Sequence, residues 1–169
     1  MILREIGAYL ACIAVLGLLA HVLGESIRRE WIHFDRFPYA PYQWENGGQF
    51  YKKLRIEAWK NALPDKSRYV RSMVRKSLQD NDMSREHIAS LIDETCVAEL
   101  IHVVLIFACP LFWLIFRTTF GLIVGILYGL SHVPFILIQR YNRPRLVALY
   151  RKIMKREALI RENTHPIQQ

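Results

Sequence analysis

Glu99 and His102 stand three residues apart where an apolar run begins. In a helix that spacing places both on one face. A carboxylate bonded to an imidazole fixes the ring's tautomer and raises its basicity, which suits a general base that takes a proton from a hydroxyl. Glu94 lies five residues earlier and extends this acidic approach. A second polar group closes the next apolar run: Gln139, Arg140, Tyr141, Asn142, Arg143, Pro144 and Arg145. Guanidinium groups suit phosphate and carboxylate. Together with the Asn142 amide they can hold an anionic donor or stabilise charge developing on an acyl carbonyl. The same residues also fit plainer roles. Glu99 with His102 fits an interhelix hydrogen bond, and Arg140, Arg143 and Arg145 fit interfacial anchoring.

A metal is the sharper alternative. His21, His102 and His132, with Glu25 and Glu99, are a donor set for zinc or iron. No two of these histidines share a metal-binding helix spacing, so the expectation is neither metal nor cofactor. Gly-x-Ser-x-Gly, His-Glu-x-x-His, Gly-x-Gly-x-x-Gly, a Walker loop and the His-x4-Asp pattern of glycerolipid acyltransferases are all missing.

The segments that must position these groups are built for a bilayer. Residues 6–23, 100–116 and 120–138 are apolar runs of 18, 17 and 19 residues, within the roughly 17–25 that cross a membrane as helix. The first resembles a secretory signal in length but reads as a retained anchor, with Arg4 followed by Glu5 and no small-residue cleavage site before Glu25. Of 23 Lys and Arg, 13 fall in residues 24–99 and 8 in residues 139–169, leaving Arg4 and Arg117. Basic flanks stay inside. The loop 24–99 and the tail 139–169 are therefore expected in the cytoplasm, and the turn 117–119 outside. With 12 acidic residues against its 13 basic ones, the loop is no nucleic-acid arm.

Trp31 to Trp59 is rich in aromatics and broken by Pro38, Pro41 and Gly47-Gly48. It reads either as a membrane-surface segment or as a small aromatic core. Beyond Pro64, Val70, Met73, Val74 and Leu78 beside Arg68, Arg71, Arg75 and Lys76 predict a basic amphipathic helix suited to anionic lipid headgroups. A further helix is expected to start near Ser84. In the tail, Asn142 is the expected cap of a new helix. There Leu146, Leu149, Tyr150 and Ile153 form a stripe that is expected to lie on the leaflet. Gly121, Gly125 and Gly129, and again Gly7, Ala11, Ala14 and Gly17, form small-residue faces suited to close helix contact, within a chain or between copies of it. Cys12, Cys96 and Cys109 read as free thiols. The expected fold is an all-α integral membrane protein, one membrane domain over 1–169, with three transmembrane helices and amphipathic cytoplasmic surface helices.

Glu94-Thr95, Ala98-Glu99-Leu100-Ile101-His102 and the run Gln139 to Leu146 resemble the glycosyl-4,4'-diaponeurosporenoate acyltransferase family, which acts in biosynthesis of the carotenoid staphyloxanthin. Gly48 with Phe50-Tyr51, and Trp59-Lys60 with Leu63-Pro64, support the likeness, so it spans about Gly48 to Leu146. The sequence departs at Val97, where the family suggests a basic residue, and at His132 and His21, where it favours Asn. The resemblance implies transfer of a fatty acyl group to a sugar hydroxyl of a glycosylated carotenoid carboxylate. It carries over Glu99, His102, Gln139, Arg140, Asn142 and Arg143 as site residues. The implied partners are that lipid acceptor and an acyl donor such as acyl-CoA or an acyl carrier. A non-catalytic lipid-binding or scaffold protein is the competing reading, supported by small size and glycine faces.

Overall fold

The structure, a computed structural model, describes residues 2–63 and 84–164. The basic helix expected around Val70 to Leu78 lies outside them. All regular elements among the described residues are helical. The α-helices are α1 (Ile2–Ser26), α2 (Gln49–Lys53), α3 (Ile56–Trp59), α4 (Arg85–Phe107), α5 (Pro110–Phe116) and α6 (Thr119–Thr164), with short 3-10 turns at Arg29–Trp31, Gln43–Gly48 and Lys60–Ala62. Three stretches are long and apolar enough to cross a membrane: Arg4–Ser26, Arg85–Phe116 and Thr119–Glu162. Only 11% of the first one's apolar window is buried within the protein. So much exposed hydrocarbon surface needs lipid against it.

The chain divides into two compact units. The first comprises Met1–His33 and Cys96–Gln139. Near its start, Tyr9 hydrogen-bonds Thr118 at 3.2 Å and packs on Phe116 and Phe120. Near the other end of α1, Gly24 faces Val97 and Ile101. The N-terminus of α1 and the 117–119 turn therefore share one side, as three alternating spans require. The second span is broken, not continuous as expected. Pro110 has no N–H and its ring collides with the carbonyl four residues back. The chain tightens ahead of it, with Cys109 N–H donating to the Ile106 carbonyl at 3.1 Å, and Pro110 opens α5, where its missing donor costs little. Pro134 leaves α6 unbroken. In lipid, losing one backbone bond is cheaper than ending the helix and exposing a whole turn's polar groups.

The glycine face of α6 is the contact surface that its spacing predicts. A Cβ on Gly125 would stand 2.6 Å from the Cys109 carbonyl oxygen, and one on Gly129 would stand 2.5 Å from Cys109 Sγ. The α1 glycines differ: nothing lies within 4 Å of a Cβ at Gly7 or Gly17. Backbone cannot step aside as a side chain can, so Gly125→Ala is expected to cost about 1–3 kcal/mol by overpacking. Gly17→Ala should cost nothing. Thermal unfolding of the two variants in detergent measures the contrast, and equal midpoints would refute the close approach.

The second unit comprises Phe34–Thr95 and Arg140–Gln169. Ser84 caps α4, its Oγ accepting from His87 N–H at 3.2 Å, as a start near Ser84 predicts. Ile88, Leu91 and Ile92 pack on Leu146, with Val147, Leu149, Tyr150 and Ile153 around them. The tail stripe expected on the leaflet is thus spent on protein packing, because α4 offers a matching apolar face. Asn142 caps nothing, since α6 runs through Pro144 without a break. The aromatic segment forms a partial core. Tyr39 and Tyr51 are buried, while Trp31, Phe37 and Trp44 stay exposed.

Candidate functional site

The predicted residues fall into two groups. Glu99, His102, His132 and Gln139 belong to the first unit, and Glu94, Arg140, Asn142, Arg143 and Arg145 to the second.

In the first group, the glycine face fixes the outcome. By letting α6 close on the second span, it brings His132 to His102, their Nδ1 atoms 3.1 Å apart. Two neutral imidazoles can bond this way only as complementary tautomers: one ring donates its Nδ1 proton and keeps a bare Nε2, the other accepts and carries its proton on Nε2. The pair therefore always keeps one Nε2 without a proton, that of His102 when His102 donates and that of His132 when His132 donates. Phe135 stacks on His102 at 4.7 Å, and Tyr128 meets His132 edge-on at 4.6 Å, so both rings are held by flat aromatic neighbours. His132 Nε2 is buried and finds no hydrogen-bond partner among the described residues. Glu99 is buried one turn ahead of His102, as is Gln139 near the end of the third span. The interhelix partner of His102 is thus His132, a pairing that spacing along one helix does not reveal. The three-histidine metal set does not assemble. His21 is exposed, and no three His, Cys, Asp or Glu among the described residues come together to hold an ion.

The second group is a buried charge network. Arg140 donates from Nε to Glu45 Oε1 at 2.6 Å, from Nη1 to the Pro38 carbonyl at 3.1 Å and from Nη2 to the Ala40 carbonyl at 3.0 Å. Its guanidinium carbon sits 4.2 Å from the Tyr42 ring centre. Glu45 also accepts from the Tyr51 hydroxyl at 2.9 Å. Burial and the neighbouring carboxylate push Tyr51 well above the usual phenol range, so it stays a donor. Arg143 donates to Thr95 Oγ1 at 3.0 Å, the Thr95 carbonyl at 3.1 Å and the Tyr39 carbonyl at 2.9 Å. Both arginines are buried. They tie the 38–45 loop and α4 to α6. This cross-bracing is also why Pro144 does not end the helix.

The Arg145 guanidinium carbon lies 3.5 Å from the Tyr141 ring centre. The Tyr141 hydroxyl donates to Glu57, which also pairs with Lys60 at 3.5 Å. Asn142 is half-buried, and Glu94 is exposed. Against the network lies a cavity of about 180 Å³, floored by Arg140, Arg143 and Glu45. Sequence reading missed Glu45, Tyr39 and Thr95. The signal for Glu45 was present: it is the sole acidic residue between Asp35 and Glu57, set among aromatics that exclude water.

The profile of the family described as glycosyl-4,4'-diaponeurosporenoate acyltransferase matches residues 29–152. A protein of that name from Staphylococcus haemolyticus is 33% identical over 118 residues, covering 69% of this chain and 67% of its own. One from Staphylococcus aureus is 30% identical over 139 residues, covering 79% and 81%. No solved structure gives a significant match.

Proposed function

We propose, on the premise that this chain belongs to the glycosyl-4,4'-diaponeurosporenoate acyltransferase family, that it moves a fatty acyl group onto a sugar hydroxyl of a glycosylated carotenoid carboxylate. The observation that carries the chemistry is the His102–His132 pair. With His132 accepting from His102 Nδ1–H, the Nε2 of His102 is a bare base. It takes the proton of the sugar hydroxyl as the oxygen attacks the acyl carbonyl, and returns that proton to the leaving group. Glu99, buried one turn away, stabilises the imidazolium formed between these steps. Gln139, Asn142, Arg145 and Glu94 are proposed contacts for substrate, while Arg140 and Arg143 serve the buried network of the second unit.

The test is reconstitution. Purified protein in vesicles, given a glycosylated carotenoid acceptor and an activated fatty acyl donor, is expected to form the acylated lipid with no second enzyme. Absence of product with every activated donor would make the scaffold reading the better one.

The protein is a multi-pass membrane enzyme, and the concentration of 21 of its 23 basic residues in the loop and tail supports an orientation with both in the cytoplasm. In a background lacking Cys12, Cys96 and Cys109, a membrane-impermeant thiol reagent on intact cells should label a cysteine placed at Thr118 and spare one at Asn163. The opposite pattern reverses the orientation.

A further inference from the structure

The cavity of the second unit belongs to none of the steps above. Its wall on α6 is formed by Arg140, Arg143, Pro144, Val147, Ala148 and Arg151. These positions recur every three or four residues, so they share one helical face. Over the 11 residues from Arg140 to Arg151, at 1.5 Å rise each, the wall extends about 16 Å. Phe34, Tyr39 and Pro41 come from the facing loop. The cavity thus runs beside one face of α6, lined by apolar groups of the loop and of Val147 and by the charged Asp35, Glu45, Arg140, Arg143 and Arg151. Arg140, Arg143 and Glu45 are buried, and Arg151, about three helical turns beyond Arg140 on α6, is exposed. Counting lining side chains, three arginines stand against Asp35 and Glu45, an excess of one positive charge. The volume of about 180 Å³ is below the roughly 300–1,000 Å³ of pockets that swallow a whole drug-sized ligand. It suits one arm of a larger molecule.

A sugar ring is compact and neutral, and needs neither the length nor Arg151. A fatty chain is long, but gains nothing from charge at the ends. A linear ligand with an anionic head, an uncharged middle and a polar reactive tip suits the exposed Arg151, the apolar lining and the buried polar groups near Arg140. We propose that this slot binds the phosphopantetheine arm of an acyl thioester, with the phosphate at Arg151 and the thioester toward the Arg140 end. This inference rests on the acyltransfer reading and names its donor class. The exchange balances: the acyl carbon–sulfur bond breaks as the carbon–oxygen bond to the sugar forms, and the hydroxyl proton ends on the released thiol.

Coenzyme A and an acyl carrier protein present the same arm, so both acyl thioesters serve as donors in the test. Arg151→Glu reverses the charge for the phosphate, and Ala148→Trp fills the slot from an exposed position. Each is expected to raise the donor KM on the order of tenfold and leave the acceptor KM unchanged. Titration calorimetry with coenzyme A itself, on protein of unchanged helicity, should show the same weakening; this readout needs no turnover. A donor KM that responds for only one of the two thioesters identifies that source and supports the slot. Wild-type donor KM and coenzyme A binding in both variants overturn the slot and leave the acyltransferase reading standing. Weakened coenzyme A binding with no transfer by any form supports the slot and defeats the acyltransferase reading instead.

Discussion

Replacing His102 by Ala is expected to lower acyl transfer on the order of 10²–10⁴-fold, the usual yield of a positioned general base. A sugar hydroxyl is a poor nucleophile until its proton is taken, and the imidazole pair is the basic group best placed to take it in the first unit. The effect should fall on kcat, since the proton moves in the transition state and not on binding. His132 only positions its neighbour through the 3.1 Å contact between Nδ1 atoms. His132→Ala should therefore cost less than His102→Ala. His132→Asn, which keeps a hydrogen-bonding group on the same helix turn, should recover much of the loss. Far-ultraviolet circular dichroism and thermal unfolding of each variant separate loss of chemistry from loss of fold. Full activity in a stably folded His102→Ala protein would end the assignment of His102 as base.

The second large effect is on stability. Arg140→Ala is expected to destabilise the protein by about 3–5 kcal/mol, because it strands a buried carboxylate. Glu45 is 2% exposed, with the Arg140 guanidinium and the Tyr51 hydroxyl as its bonded partners. Removing the arginine also releases the Pro38 and Ala40 carbonyls, which hold the loop in its course. Glu45→Ala strands the arginine in the same way and should cost a similar amount. The double variant should cost far less than the two single costs added, since neither charge is then left alone. Unfolding midpoints of the four proteins in one detergent measure this coupling. Additive costs would show that the pair contributes nothing as a pair.

The three spans were legible in the sequence because hydrocarbon thickness imposes a length that few soluble segments imitate. The Gly121–Gly125–Gly129 face was legible because close approach needs a missing side chain at each turn. His102 stood out as a polar residue inside an apolar run, yet its partner did not. Three-residue spacing along one helix points to Glu99, whereas His132 arrives from another helix, 30 residues away. Pro110 carried a readable signal for the break in the second span, but the uniform hydropathy of Leu100 to Phe116 hid it. The reverse error arose at Asn142 and Pro144, where local cap chemistry argued for a new helix. Buried tertiary bonds from Arg140 and Arg143 outweigh it. The arginines were visible as anion binders; that the anion of Arg140 is Glu45, 95 residues earlier, follows only from the path of the chain.

That separation has a consequence for how the protein is born. Translation adds about 5–20 residues each second, so the ribosome makes Arg140 about 5–19 s after Glu45, given the 95 residues between them. Throughout that interval the 38–45 loop has neither its counter-charge nor the donors to its carbonyls. Arg140 and Arg143 then become the clasp that closes the loop. A nascent chain truncated before Arg140 should therefore be inserted yet open at residues 38–45, and this is the stretch a cellular protease would meet first.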